Sequence, residues 1–226
     1  MEVLIGRGMF RLVALILGYF LGNVQTAHIA AKKLRGIDIR DFGSGNSGTT
    51  NITRLLGIKI GLVVFAIDAL KTVLAFVIAS MLFGEASFIA GVYAGIGAVL
   101  GHNFPFHMGF KGGKGVASTF GLVLCIDFRV ALVLVGIGLL CVAIIRMVSV
   151  GSLVVTALFP IMLFAVGHDT EVVAVSVFLW GLAWFMHRGN IARIMAGTER
   201  KVGRRVSSKV SNKGSSKEAG DGQQNP

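Results

Sequence analysis

The sequence predicts an all-α membrane protein with about seven transmembrane helices. Hydrophobic residues make up 54% of the 226 residues, charged residues only 15%, and the mean hydropathy is +0.77. Ordinary globular domains have a smaller apolar share. The apolar residues also fall into separate runs, and a run of about 20 residues can cross the roughly 30 Å hydrocarbon layer of a bilayer.

The apolar runs define the helices in chain order. We expect seven, at residues 9–31, 58–83, 87–106, 115–127, 129–146, 149–167 and 171–187. The first could be taken for the core of a signal peptide, but the run continues and others follow, so we expect no cleavage. The fourth is short and contains Gly, Ser and Thr, so taken alone it could be a re-entrant or buried segment.

Basic residues set the predicted topology. The net charge of +11 would favour a nucleic-acid partner in a soluble domain, but the basic residues concentrate in connectors and near the C-terminus. The positive-inside rule places residues 32–59, residues 107–115, Arg146 and residues 188 onward in the cytoplasm. Lys114 and Arg146 can share that side only if the fourth segment enters the membrane and the fifth returns. The N-terminus is then outside and the C-terminus cytoplasmic.

Composition also divides the chain into a domain and a tail. Residues 1–197 form a single transmembrane domain, whereas residues 198–226 are rich in Ser, Gly and Lys and nearly free of large apolar residues. Such a segment cannot offset its ordering entropy by burial, so we expect a basic, disordered cytoplasmic tail. Cys125 and Cys141 lie inside apolar runs and are expected to be small buried hydrophobes. We therefore expect no disulfide, no metal and no cofactor.

The first polar motif is DIRDFGSGNSGTTNITRLLG, residues 38–57. Its glycines allow backbone N–H groups to converge, and its hydroxyl and amide side chains add neutral hydrogen-bonding groups. Arg54 is a planar donor that could grip an oxyanion with two hydrogen bonds. The alternative is a flexible Gly/Ser connector at the membrane surface. The candidate binding residues are Gly43, Ser44, Gly45, Asn46, Thr50, Asn51 and Arg54.

The second polar motif is FKGGKG, residues 110–115. Glycine-rich backbone and lysine charge both favour phosphate. The motif is not a Walker A loop, because Gly115 follows Lys114 where Ser or Thr is required and Met108 occupies the position of the first glycine. A basic turn at the membrane surface is the alternative reading. The candidate phosphate-binding residues are Lys111, Gly112, Gly113, Lys114 and Gly115.

The third polar motif is MHRGNIARIMAGTER, residues 186–200. His187 and Asn190 are spaced to share one helical face, and Glu199 follows beyond a glycine. A histidine at a helix end is often structural, and that alternative stays open here. Ser149, between the fifth and sixth segments, could line the same cavity or simply pack between helices.

One pair of charges lies within a predicted span. Asp68 and Lys71 are three residues apart in the second segment. A charge in hydrocarbon is costly unless it is paired or faces a cavity, so we expect the two to neutralise each other across one helical turn. We favour a structural pair that supports the site over direct participation in catalysis.

Taken together, GSGNSGTTNITRLLG, GHNFPFHMGFKGGKGVASTFG and HRGNIARIMAGTE closely resemble the three motifs of the PlsY family. These are bacterial membrane glycerol-3-phosphate acyltransferases that use acyl phosphate as donor. The resemblance covers about residues 15–200. It implies a seven-helix enzyme that forms 1-acylglycerol 3-phosphate, or lysophosphatidic acid, in phospholipid synthesis.

The resemblance also implies roles for matching residues. It gives Ser44, Arg54, His187 and Asn190 catalytic roles, assigns phosphate binding to Gly112, Gly113, Lys114 and Gly115, and makes Glu199 a support of the third motif. The proton of the attacking hydroxyl could pass to His187 or to the donor's phosphate. This sequence departs from the family pattern at residues 22–25, which read GNVQ instead of Gly-Ser-Ile-Pro, and at Thr49 and Thr72.

The expected function follows from the resemblance and from what the chain lacks. It has neither the His-x-x-x-x-Asp sequence of acyl-CoA-dependent glycerolipid acyltransferases nor an Asp-rich metal motif. We expect a multi-pass enzyme of the bacterial inner membrane whose partners are acyl phosphate, glycerol 3-phosphate and the bilayer, with no nucleic acid. A monomer could suffice. The rival from another class is a transporter or binding protein for a phosphorylated small molecule, although transport sites usually lie near the midplane.

Overall fold

The structure is a computed structural model that describes residues 2–202, with side chains from residue 8 onward. Within these residues every regular element is helical, which confirms the all-α class. The ten α-helices are α1 (Glu2–Gly22), α2 (Thr26–Arg35), α3 (Thr49–Leu56), α4 (Ile58–Leu82), α5 (Ser87–Asn103), α6 (Val116–Ile126), α7 (Phe128–Ile145), α8 (Val148–Ala165), α9 (Thr170–Met186) and α10 (Arg188–Met195). Short 3-10 turns lie at Ile39–Asp41, Gly84–Ala86 and Phe106–Met108.

Several of these helices are long and apolar enough to cross a membrane. Five stretches of the described chain qualify, namely Gly8–Arg35, Ile58–Leu82, Gly84–Met108, Phe128–Ile145 and Val148–Ala165. A sixth is obtained if α9 and α10, which meet at a bend of 59°, count as one span. The molecule is therefore a multi-pass membrane protein.

The predicted fourth segment is α6, which has 11 residues. At 1.5 Å per residue a helix of this length covers about 16 Å, roughly half of the hydrocarbon layer. Residues 116–126 thus form a half-length helix, which is followed at once by α7. The total of seven crossings and the orientation of the termini remain predictions.

Small residues bring α1 and α5 into backbone contact. A Cβ at Gly18 would lie 1.8 Å from the carbonyl oxygen of Ala94, and one at Gly22 would lie 2.1 Å from that of Ala98. Reciprocally, a Cβ at Gly97 would lie 2.0 Å from the Leu15 carbonyl oxygen. Such small-residue faces are how membrane helices pack closely without a hydrophobic driving force.

The break between α1 and α2 braces the end of α5. Tyr19 Oη donates to the carbonyl of Phe104 at 2.7 Å, and the Asn23 side-chain oxygen accepts from the amide of Phe106 at 3.0 Å. Gln25 Nε2 donates to the His102 carbonyl at 3.1 Å. Asn23 and Gln25 belong to the GNVQ segment that departs from the family pattern. In this chain those residues support the approach to the second motif.

Candidate anion-binding site

A cavity of about 140 Å³ lies where the three polar motifs meet. The predicted residues that line it are Ser44, Asn46, Thr50, Asn51, Arg54, Asp68, Lys114, Gly115, Ser149, His187 and Asn190. The other predicted site residues, Gly43, Gly45, Lys71, Lys111, Gly112, Gly113 and Glu199, are not part of the lining. Residues of α3, α4, α5, α6, α8 and α10 and of the connectors thus converge on one space, although the motifs are far apart in sequence.

The first turns of three helices border the cavity. Thr49 begins α3 after the N-cap residue Gly48, Val116 begins α6 after the N-cap residue Gly115, and Val148 and Ser149 begin α8. Among the described side chains, none caps any of these three N-termini. The first N–H groups of a helix have no partner within the helix, and its N-terminus carries a partial positive charge. The backbone alone therefore makes this cavity attractive to an anion.

Asn51 holds the first motif in shape. Its Nδ2 donates to three backbone carbonyls between residues 39 and 46 at 3.0 to 3.1 Å, and its Oδ1 accepts from the amide of Ser44 at 3.1 Å. Gly43 has a φ of 59°, and a Cβ there would lie 2.2 Å from Asn51 Oδ1. The amide of Asn51 is thus committed to the loop that presents Ser44.

Arg54 is a partly buried guanidinium at the cavity. Its Nη2 donates to the carbonyl of Arg200 at 3.3 Å. Burial lowers the pKa of Arg54 below its usual value, and the nearby positive charge of Arg200 lowers it further. A guanidinium remains charged across the physiological range. Because this guanidinium is partly removed from water, a bound anion would stabilise its positive charge.

The glycines of the second motif pack against the end of α5. The amide of Gly112 donates to the Asn103 carbonyl at 3.1 Å, and the amide of Gly113 donates to the His102 carbonyl at 3.0 Å. A Cβ at Gly113 would lie only 2.0 Å from His102 Nε2. These two amides are already engaged, so the two glycines contribute close packing. Lys111 is exposed outside the cavity.

The second and third motifs meet in one hydrogen-bond network. Lys114 Nζ donates to Asn190 Oδ1. Asn190 Nδ2 donates to Ser149 Oγ and to Glu199 Oε1, both at 2.7 Å, and Ser149 Oγ donates to Glu199 Oε1 at 2.6 Å. Arg193 Nε donates to Glu199 Oε2 at 2.7 Å. Glu199 therefore organises the network from behind the cavity wall.

Burial and neighbouring charges tune the ionisable groups of this network. Burial lowers the pKa of Lys114 to about 8, against the attraction of Glu199 and with the help of Arg193 and Arg54. Burial also raises the pKa of Glu199, but hydrogen bonds from Ser149, Asn190 and Arg193 outweigh it, and the net pKa is below its usual value. At neutral pH Lys114 and Glu199 are both charged.

His187 lines the cavity at the junction of α9 and α10. Its Nδ1 lies 2.7 Å from the carbonyl oxygen of Ala183. A carbonyl can only accept, so Nδ1 carries the proton and Nε2 of the neutral imidazole is left as an acceptor. The ring can thus receive a hydrogen bond or a proton from a bound molecule.

Asp68, Lys71 and His102 form a buried cluster at the cavity. Lys71 Nζ donates to Asp68 Oδ1 and to His102 Nδ1, both at 2.9 Å. The predicted pairing of Asp68 with Lys71 is present, and both side chains are buried. His102 lines the cavity and was not among the predicted site residues. It ends an apolar run, and its contact with Lys71 depends on how α4 and α5 pack, which no local pattern encodes.

Residues 198–202 also take part in the site, although composition assigned them to the tail. Glu199 is buried in the network, and the Val202 amide donates to the Arg146 carbonyl at 2.7 Å. The remaining predicted tail, residues 203–226, lies outside the described residues. In the part of the chain that is described, no cluster of three or more His, Cys, Asp or Glu side chains could hold a metal ion.

The fold and the site define a polytopic membrane protein with a cation-rich cavity formed by its connectors and helix ends. A family model described as glycerol-3-phosphate acyltransferase matches residues 12–197. The chain belongs to this family. It is 38% identical over 198 residues to the glycerol-3-phosphate acyltransferase of Thermoanaerobacter sp. (strain X514), a match that covers 88% of this chain and 98% of the relative.

Other comparisons agree over nearly the same length. The glycerol-3-phosphate acyltransferase of Clostridioides difficile (strain 630) is 40% identical over 197 residues, covering 86% of this chain and 96% of that protein. The crystal structure of PlsY (YgiH) in its glycerol 3-phosphate form has a TM-score of 0.79 and 38% identity, covering 85% of this chain and 96% of that one. The lysophosphatidic acid form of PlsY has a TM-score of 0.76 and 37% identity, and the match covers 84% of this chain and 94% of that one. The predicted family is confirmed.

Proposed function

We propose that this protein transfers a fatty acyl group from acyl phosphate to the sn-1 hydroxyl of glycerol 3-phosphate in the bacterial inner membrane. The products are lysophosphatidic acid and inorganic phosphate. One observation carries the proposal: three uncapped helix N-termini, Arg54 and Lys114 surround a single cavity. The related PlsY structures, described as glycerol 3-phosphate and lysophosphatidic acid forms, support the acceptor and the product.

The reaction needs two phosphates to be held close together. One belongs to glycerol 3-phosphate and the other leaves the acyl carbon. Arg54 from the first motif and Lys114 from the second supply separate cations, and the first turns of α3, α6 and α8 supply N–H donors. Phosphate oxygens are well matched to a guanidinium fork, an ammonium point charge and helix N-termini. A site with duplicate phosphate-binding groups suits a donor whose leaving group is itself phosphate.

The chemistry can be direct because an acyl phosphate is a mixed anhydride with a good leaving group. The glycerol oxygen forms a bond to the acyl carbon, the bond from that carbon to the phosphate oxygen breaks, and phosphate departs with the bonding electrons. No acyl-enzyme is required. The protein then contributes placement of the reactants and stabilisation of the developing negative charge.

Two groups can accept the proton of the attacking hydroxyl in this mechanism. His187 Nε2 is available because Nδ1 is engaged with the Ala183 carbonyl. The leaving phosphate is the second acceptor. Ser44 and Asn190 would orient the polar groups of the substrates, with Asn46, Thr50 and Ser149 as further hydrogen-bonding groups.

Other predicted residues would shape the site without contacting the reacting groups. We assign Gly43, Gly45 and Asn51 to the shape of the first motif and Gly112, Gly113 and Lys111 to the loop that carries Lys114. Gly115 begins α6 and Glu199 holds Asn190. The acyl chain would lie among helices that expose apolar side chains to lipid, so one substrate arrives from the bilayer and the other from water. No cofactor enters this scheme, and a monomer contains every group named.

The decisive experiment is incubation of the purified full-length protein with palmitoyl phosphate and labelled glycerol 3-phosphate. We expect lysophosphatidate and inorganic phosphate in equal amounts, no effect of chelators, and no product when acyl-CoA or acyl carrier protein replaces acyl phosphate. A comparable rate with acyl-CoA would contradict the proposed donor. Movement of glycerol 3-phosphate across vesicle membranes without acyl transfer would favour the transporter instead.

A further inference from the structure

The carboxylate of Asp68 is satisfied on one side only. Its Oδ1 accepts from Lys71 Nζ and from Thr26 Oγ1, each at 2.9 Å. Its Oδ2 is buried and has no hydrogen-bond partner among the described residues. Lys71 cannot serve both oxygens, because its ammonium also donates to the Val24 carbonyl at 2.7 Å and to His102 Nδ1.

An unsatisfied carboxylate oxygen is costly at this position. Asp68 lies within the membrane-spanning helix α4, and its side chain is 1% exposed. A buried acceptor without a donor loses its hydration and gains nothing in return, and charged groups suffer most. Ionisable residues inside a span usually face a cavity or a pathway for that reason. Asp68 does border the cavity, so a bound molecule is the available source of a donor.

The charges around the cavity are arranged asymmetrically. Arg54 and Lys114 reach it from the connectors, whereas Asp68 reaches it from α4. A phosphate is attracted to the two cations and repelled by the carboxylate. A hydroxyl, in contrast, can donate a hydrogen bond to the carboxylate. Glycerol 3-phosphate carries both kinds of group at opposite ends of a three-carbon chain.

We propose that Asp68 Oδ2 accepts a hydrogen bond from a hydroxyl of bound glycerol 3-phosphate and thereby fixes the direction in which the acceptor enters. The identity of the ligand rests on the proposed function. Lys71 is the positioning residue, since its ammonium holds Oδ1 and leaves Oδ2 for the substrate. The phosphate then lies toward Arg54 and Lys114, and the cavity selects phosphate esters that carry a hydroxyl at the right distance.

The test compares glycerol 3-phosphate with two analogues, 3-hydroxypropyl phosphate, which lacks the C2 hydroxyl, and 2-hydroxypropyl phosphate, which lacks the C1 hydroxyl. Their equilibrium binding to the wild-type protein is measured by displacement of labelled glycerol 3-phosphate, without any acyl donor. A hydrogen bond to a charged acceptor predicts that one analogue binds about tenfold or more weakly. Equal binding of all three ligands would overturn the inference.

The same comparison in Asp68→Asn should reduce the preference to about threefold or less, because the charge that strengthens the hydrogen bond is gone. Asp68→Leu combined with Lys71→Met provides a second variant in which no ammonium is left buried without a partner. Thr26→Val is the matched control, because it removes a hydrogen bond to Oδ1 but leaves Oδ2 intact. It should retain the wild-type preference.

The outcomes separate the two claims. If the wild-type protein binds glycerol 3-phosphate and forms lysophosphatidate but the hydroxyl preference is the same in every variant that folds, the role of Asp68 is wrong and the enzyme remains. If Thr26→Val loses the preference as fully as Asp68→Asn, the effect is structural and the inference also fails. If the wild-type protein does not bind glycerol 3-phosphate, the proposed function falls and the inference with it.

Discussion

The side-chain amide of Asn190 donates to the carboxylate of Glu199 at 2.7 Å, across nine residues of sequence. The oxygen of the same amide accepts from Lys114, which belongs to another motif. An amide that is used at both ends has a fixed orientation, so Glu199 determines which atom of Asn190 faces the lysine. Glu199, which is outside the cavity lining, thus sets the orientation of the Asn190 amide, which is part of the lining.

Replacement of Glu199 should therefore impair a site that it does not line. Glu199→Ala removes the acceptor for Ser149 and Asn190 and should lower turnover by about tenfold or more, because each buried hydrogen bond lost to a charged group costs about 1.5–3 kcal/mol. Glu199→Gln keeps one accepting oxygen and should lose less. Steady-state kinetics with both substrates, together with size-exclusion profiles in detergent, would measure the difference. Equal losses in the two variants would contradict this role.

Glycerol 3-phosphate binding should weaken as the pH rises through about 8, the pKa to which burial lowers Lys114. Below that pH the ammonium is charged and attracts the phosphate dianion, which forms above about pH 6. Above it the charge is lost, and affinity should fall by nearly tenfold per pH unit. Equilibrium binding across pH 6.5–9.5 would test this expectation.

Two variants serve as controls for this pH dependence. Lys114→Met should bind weakly at every pH and show no step near pH 8. Lys59→Met removes an exposed lysine in the first turn of α4 and should keep the step. A step that persists in Lys114→Met would assign the titration to another group.

Arg54→Ala should reduce turnover by about a hundredfold or more without preventing membrane insertion. A bidentate charge-assisted pair contains two hydrogen bonds of about 1.5–3 kcal/mol each. Arg54→Lys keeps the charge but loses the planar fork, so it should recover only part of the activity. Arg188→Ala is the matched control, because Arg188 donates to the Phe185 carbonyl, lies over the Phe185 ring and is not part of the cavity lining. Near-normal kinetics in Arg54→Ala would remove Arg54 from the site.

Gly113→Ala should weaken both stability and glycerol 3-phosphate binding, because the new Cβ would lie 2.0 Å from His102 Nε2 and one of the two must move. Forced repacking of this kind usually costs about 1–3 kcal/mol. Gly136→Ala in α7 is the control, since no described atom outside the adjacent helix backbone lies within 4 Å of its Cβ position. Thermal unfolding in detergent and the KM for glycerol 3-phosphate would distinguish them. If the two variants behaved alike, close packing at Gly113 would have no functional role.

Removal of residues 206–226 should leave activity largely intact, because this segment carries none of the three motifs. A longer deletion that begins at residue 198 should abolish activity, since it removes Glu199 and the contact from Arg54 to the Arg200 carbonyl. Acyl-transfer assays on the two truncated proteins would measure this. An inactive but normally inserted shorter truncation would show that the tail is needed.

The all-α membrane fold was predictable because every apolar run except the fourth is long and the connectors are charged. The three motifs that meet at the cavity were predictable as candidate anion-binding segments, since Gly, Lys and Arg together favour an anion. The roles of individual residues in the site were harder to predict from the sequence. Gly112 and Gly113 suggested free phosphate-binding amides, yet both amides bond the end of α5. Sequence shows that an N–H exists but does not show what it already bonds.

Long-range geometry accounts for the rest. The N-termini of α3, α6 and α8 face one cavity only because their helices pack in a particular order. Asn51 looked like a ligand residue, although it holds its own loop. His102 was missed because its partner Lys71 is 31 residues away in the chain. Each of these facts depends on tertiary contacts that a local pattern does not contain.

The brace that α1 provides has a consequence for biosynthesis. Asn23 contacts the amide of Phe106, 83 residues further along the chain, and Gln25 contacts the His102 carbonyl. A nascent chain inserts its N-terminal helices first. The side-chain oxygen of Asn23 and the side-chain amide of Gln25 therefore lack these partners until α5 is inserted. Folding of the second motif is then a docking step onto a helix that is already inserted, and mistakes made early in synthesis would appear as a defective phosphate site much later in the chain.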